Sequence, residues 1–258
     1  MSKQLSTITY GTEKPLGYLL NYEVAFAPLV EKEVKLLELG IAKGASLLMW
    51  RDYFTKGTII GLDRNTIDLD DPTGRIHQYQ GSQEDTELLS RIAKEQAPNG
   101  FDIVIDDCSH IGELTRMSFW HLFECLRPGG IYVIEDWGTG YWHGHVCYPD
   151  GERVTARKAV ARLGPGSPLR SFLLWLADKS LLKNVPPLRR RLQSFCWRHQ
   201  FIKRFPSHDY GMIGFVKELI DECGMNDVTH PEWGNPPQRP ERFSKMQVSA
   251  GQVIIFKK

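Results

Sequence analysis

Asp106-Asp107-Cys108-Ser109-His110 and, further on, Glu135-Asp136 hold the residue types with the most chemistry in this chain. Each string follows an apolar run that reads as a strand, Phe101-Asp102-Ile103-Val104-Ile105 in the first case and Gly130-Ile131-Tyr132-Val133-Ile134 in the second. Adjacent parallel strands deliver their C-terminal ends to one rim, where ligands bind in open α/β sheets. Such a rim would collect Asp107, Glu135 and Asp136 beside His110. Carboxylate oxygens are hard ligands that suit Mg²⁺ or a similar divalent cation, and a histidine next to them is a candidate base. A single acid at a strand end more often caps a helix, and a lone histidine more often sits in a polar loop. Three acids on two strand ends favour a metal.

The surrounding pattern supplies the elements that must position these side chains. Strand signals occupy 34–39, 58–62, 75–79, 101–105 and 130–134, and helical spacing of apolar residues marks 46–54, 85–96 and 113–126 between them. Arg127-Pro128-Gly129-Gly130 reads as the stop of the last of these helices. Alternating strands and helices of this length make βαβ units and a parallel sheet. A further helix is expected at 214–223, then a hairpin whose arms, 245–249 and 252–256, flank Ala250-Gly251. The expected architecture is a doubly wound, mostly parallel, seven-stranded α/β sheet with an antiparallel C-terminal pair.

One stretch breaks the rhythm. Residues 150–204 carry 13 lysines and arginines against three acids, a net +10, although the whole chain of 258 residues is only +1. They read as a basic helical insertion in a sheet domain made of 1–149 and 205–258. Three roles suit it: a lid over an acceptor site, a dock for an anionic membrane or lipid-linked acceptor, or packing on the acidic remainder or on a second copy in a homo-oligomer. The near-neutral total argues against a nucleic-acid partner. The N-terminus lacks the apolar core of a signal peptide, and Phe172-Leu173-Leu174-Trp175-Leu176-Ala177 is far short of the ~20 residues of a membrane span. Five cysteines without a Cys-x-x-Cys pattern read as free thiols, so a cytoplasmic location is expected.

The first strand runs into Glu38-Leu39-Gly40-Ile41-Ala42-Lys43-Gly44-Ala45-Ser46, a glycine turn that lets a ligand approach backbone at a helix N-terminus. Asp63 ends the second strand where a ribose hydroxyl is held in nucleotide-binding sheets; its alternative is a cap. Gly81-Ser82-Gln83-Glu84-Asp85 ends the third strand and could frame an adenine, with Ser82 or Asp85 as an N-cap in the alternative reading. An acid before the glycines, with little basic charge in the loop, points away from dinucleotides. The arrangement resembles the class I S-adenosylmethionine-dependent methyltransferases.

Tyr10-Gly11-Thr12-Glu13-Lys14, Leu37-Glu38-Leu39-Gly40, the Asp106 to His110 string and Arg127 to Asp136 together resemble the metal-dependent sugar O-methyltransferases of macrolide biosynthesis. The resemblance implies a Rossmann-like methyltransferase fold. It implies S-adenosyl-L-methionine held through Glu38, Gly40, Gly44, Ser46, Asp63, Ser82, Gln83 and Asp106. It also implies Mg²⁺ on Asp107, Glu135 and Asp136, with His110 as the base. Cys108, Ala42 and Ala45 stand where glycine is expected. The implied reaction moves a methyl group to a hydroxyl of a sugar in a natural-product glycoside, glycolipid or polysaccharide. A catechol-like diol uses a similar metal site, but the Glu135-Asp136 pair stands where that family has an asparagine. A non-catalytic membrane- or nucleic-acid-binding module on the same fold is the alternative from another class, and arginines not interleaved with aromatics weaken it.

Overall fold

Strands covered on both faces are apolar almost without a break, and the central strands here follow that rule. Lys35–Leu39 (β1), Thr58–Asp63 (β2), Phe101–Asp106 (β4) and Leu126–Glu135 (β5) are buried along most of their length, whereas Ile76–Gln80 (β3), at one edge of the sheet, is only half-buried. The computed structural model describes residue 5 and residues 10–141, 211–224 and 241–258. The basic insertion at 150–204 therefore lies outside the described residues.

The seven strands stand in the order β3-β2-β1-β4-β5-β7-β6. The first five are parallel, and Gln252–Lys257 (β7) runs antiparallel to both β5 and Phe243–Val248 (β6). This is the expected sheet, and the hairpin closes it by inserting β7 between β5 and β6. Arg127-Pro128-Gly129-Gly130 is more than a helix stop. Leu126 already pairs with Phe101, and the register then jumps to Ile103 against Ile131, so these four residues bulge from within β5.

The helices between the strands match the spacing read from sequence to within one or two residues at most ends. They are Ala45–Tyr53 (α2), Thr86–Gln96 (α3), Gly112–Glu124 (α4) and Gly211–Gly224 (α5). Asp85, not Ser82, caps α3, its side chain accepting from the Leu88 amide at 3.0 Å. One helix was not expected: Leu16–Phe26 (α1), which precedes the first strand. It packs with α2 through an aromatic cluster in which Tyr22 and Phe26 meet Trp50 edge-on at 5.1 and 5.9 Å. The same core takes Leu36 of β1, Ile103 and Ile105 of β4 and Val133 of β5. On another cluster Phe119 and Phe123 of α4 stack at 5.2 Å, with Tyr132 and Phe243 against Phe119.

Two compact units divide the chain. One holds the residues through Ser109, Leu114–Trp137 and Leu219–Lys258, and with them the whole sheet; the other holds His110–Glu113 and Gly138–Glu218. Within the second, a Cβ added to Gly112 would lie 2.0 Å from the Gly211 carbonyl carbon, so the starts of α4 and α5 meet backbone to backbone.

Candidate active site

Side chains alternate faces along a strand, and this alternation sorts the acids. Glu38 has the phase of Leu36, and Glu135 that of Val133, so both turn to the face that α1 covers. Asp106 has the opposite phase to Ile105 and turns away. Its carboxylate accepts from Ser118 Oγ at 2.8 Å and from Gln83 Nε2 at 3.3 Å, and Gln83 Oε1 in turn accepts from the Ser109 amide at 3.0 Å. Burial pushes the Asp106 carboxyl up to about 7 despite the Ser118 donor. Asp106 and Gln83 thus brace the loop that carries Asp107, with both side chains buried.

The glycine loop is held by its neighbours. Asp63 Oδ2 accepts from the amides of Ile41 and Ala42 at 3.0 and 3.3 Å, and Glu38 Oε2 accepts from Ser46 Oγ at 2.7 Å. Ser82 is half-buried in the turn after β3, and its carbonyl accepts from the Asp85 amide at 3.1 Å. Gly44 has φ +77° and is the N-cap of α2. Gly40 has φ +83°, and a Cβ there would lie 2.1 Å from the Asp107 carbonyl oxygen. The turn after β1 and the turn after β4 are therefore in backbone contact. Gly40→Ala combines a left-handed backbone with a clash against main chain and should lower stability by about 2–4 kcal/mol; an unchanged urea midpoint would show that the two turns can separate.

Asp107 and Asp136 each present a carboxylate oxygen, the two within 4.8 Å of one another. Their donors fit a small divalent cation, because carboxylate oxygens are the ligands such ions prefer. Asp136 is in the left-handed region at φ +54°, with Oδ1 accepting from Tyr18 Oη at 2.6 Å. Glu135, one residue earlier and on the buried side, accepts from Lys14 Nζ at 2.8 Å and from the Tyr22 hydroxyl. Burial first, and the Asp107 charge second, raise the Glu135 carboxyl above the usual carboxylate range. The same two effects in Tyr18 and Tyr22, burial and adjacent carboxylates, keep their hydroxyls protonated as donors.

His110 belongs to the second unit, is buried, and has φ +52°. Left-handed backbone in a residue other than glycine is a form of strain that gathers at functional positions, and here it occurs at both His110 and Asp136.

Lys14, Tyr18 and Tyr22 are the site residues that sequence reasoning missed. Lys14 follows from the Tyr10 to Lys14 string only as part of a resemblance, and the tyrosines were not singled out. The legible signal was their spacing of four, which sets three polar ends along one side of a helix and the turn before it. Trp142, an aromatic that could stack on a sugar ring, and His143 and His145, which could touch an acceptor, lie outside the described residues.

The chain is similar to the crystal structure of the MycE methyltransferase from the mycinamycin biosynthetic pathway, solved with Mg and SAH. The TM-score is 0.64 at 28% identity, over 100% of this chain and 55% of that one. The chain has the Rossmann-like methyltransferase fold. No family model matches it. In sequence the chain is 44% identical over 242 residues to the mycinamicin VI 2''-O-methyltransferase of Micromonospora griseorubida, covering 90% of this chain and 53% of that protein. It is 42% identical over 215 residues to the demethylmacrocin O-methyltransferase of Streptomyces fradiae, covering 79% and 49%. The chain thus spans about half the length of these relatives. Among the described residues, no helix is long and apolar enough to cross a membrane, and Cys108, Cys125 and Cys223 are free thiols.

Proposed function

We propose that the chain carries a Mg²⁺- and S-adenosylmethionine-dependent O-methyltransferase that acts on a hydroxyl of a sugar in a glycoside. The pair of carboxylates Asp107 and Asp136, within 4.8 Å of each other beside the Gly40 turn, is the observation that carries this reading. Similarity to O-methyltransferases of glycosylated natural products supports the acceptor class.

Asp107 and Asp136 would hold the metal, with Glu135 as the third carboxylate. When bound, Mg²⁺ supplies positive charge that orients acceptor hydroxyls and lowers their pKa. The protein's own part is positioning and proton removal. The Gly40 to Ser46 turn and Asp63 would hold the cofactor, which would supply the methyl group. An oxygen lone pair forms the new C–O bond as the C–S bond breaks, and the bonding pair returns to sulfur, leaving S-adenosylhomocysteine. The hydroxyl proton passes to an imidazole nitrogen of His110, and from there to solvent. Only two residues separate His110 from Asp107, which limits their Cα separation to about 11 Å by chain length alone. Free thiols suit a cytoplasmic setting.

Incubation with EDTA should abolish methyl transfer from labelled cofactor to rhamnosyl or related deoxysugar glycosides, and excess Mg²⁺ should restore it. Full turnover in chelator would remove the metal from the proposal. Transfer to catechols but not to glycosides would replace the acceptor.

A further inference from the structure

A buried cation stands among the acids of the proposed site. Lys14 Nζ is 2.7 Å from Asp107 Oδ2, 2.8 Å from Glu135 Oε1 and 3.2 Å from Glu38 Oε1. These carboxylates come from the ends of three different strands, β4, β5 and β1. The lysine side chain is only 5% exposed, and an ammonium has three N–H donors. Two of its donors go to Asp107 and Glu135, and Glu38 Oε1 stands at ion-pair distance without a hydrogen bond, so the buried ammonium is placed by carboxylates.

A tie of this kind is more than charge balance. Stability alone gives little reason to keep it, because buried ion pairs are often matched by apolar replacements. Its particular property is which acids it joins. Glu38 also accepts from Ser46, the second residue of α2, and so holds the turn proposed to bind the cofactor. Asp107 and Glu135 belong to the rim proposed to hold the metal. The Asp107 main chain already lies against Gly40, so a shift on either side meets the other both through backbone and through Lys14.

We propose that Lys14 is a positioning residue that couples cofactor binding at the Glu38 turn to divalent-metal binding at Asp107 and Glu135. The inference rests on the function proposed above. It requires that occupancy of one site change the affinity of the other, and such coupling is reciprocal.

The test measures affinities, not turnover. Calorimetry gives the dissociation constant of Mn²⁺ with and without saturating S-adenosylhomocysteine, and that of S-adenosylhomocysteine with and without saturating Mn²⁺. In the wild-type chain the two ratios should agree and differ from one by about fivefold or more, within the usual range of such couplings. In Lys14→Met both ratios should fall to within about twofold of one, even where each ligand still binds. A role confined to stability would lower the melting temperature and leave the ratios alone. If Lys14→Met does not fold, Glu38→Gln keeps an oxygen for Ser46, removes one arm of the tie, and should reduce the ratios in the same way. Coupling that survives in either folded variant, or that is absent from the wild type, overturns the inference. A wild-type chain that binds neither Mn²⁺ nor S-adenosylhomocysteine overturns the proposed function itself.

Discussion

Asp136→Asn is expected to remove most of the turnover while leaving the cofactor in place. Asparagine keeps the shape of the side chain, keeps an oxygen to accept from Tyr18, and tolerates the φ of +54° better than most residues. What it loses is one negative charge of the pair that Asp107 and Asp136 form. Removing only a supporting partner of a metal ligand commonly costs 10–100-fold in affinity, so loss of a ligand charge should weaken Mn²⁺ binding by at least about tenfold. Turnover at fixed Mg²⁺ should fall by about 10²-fold or more, the scale of one lost electrostatic contact to the transition state. The dissociation constant of S-adenosylhomocysteine, measured without metal, should stay within about threefold of the wild type, because a residue used only in the reaction lowers kcat without loosening the cofactor. Equal losses in metal and cofactor affinity would mean that Asp136 serves the fold of the whole rim.

His110→Gly is the sharper test of the base. Alanine would leave the left-handed backbone strained, whereas glycine adopts φ of +52° without penalty. The variant should therefore melt no lower than His110→Ala. It should nevertheless lose about 10²–10⁴-fold in kcat, the usual contribution of a positioned acid–base group. It also opens a space the size of an imidazole ring at a buried position. Added imidazole should restore part of the rate to His110→Gly and none to the wild type. A glycine variant with wild-type turnover would exclude His110 as the base, and one that is inactive and also fails to bind Mn²⁺ would make it a ligand.

The parts of the molecule that were legible in the sequence share a physical cause. β1, β2, β4 and β5 are buried on both faces and so read as short apolar runs, and the acids that end them fall on one rim because parallel strands end together. The hairpin was legible from Ala250-Gly251 between two β-rich arms. Helix α1 was not, because its composition gives no polar–apolar division. Leu19, Tyr22 and Phe26 are buried while Leu16, Leu20 and Val24 are exposed, so apolar residues stand on both sides. The direction of each acid was also open to a reader of the strand period, and it separates Asp106, which braces a loop from beneath, from Asp107, at the rim. What the sequence does not encode locally is Lys14 among the acids, a contact across 93 residues to Asp107 and 121 to Glu135.

The segment from Tyr10 to Phe26 contributes no strand, and the order of the seven strands is complete without it. Yet, among the described residues, it delivers an ammonium and two phenols that meet acids of the rim. Topology and reactivity therefore have separate addresses in this chain. A protein could keep every strand, the Gly40 turn and all the rim acids, align well across the sheet, and still lack the cation and the phenols that stand against those acids here.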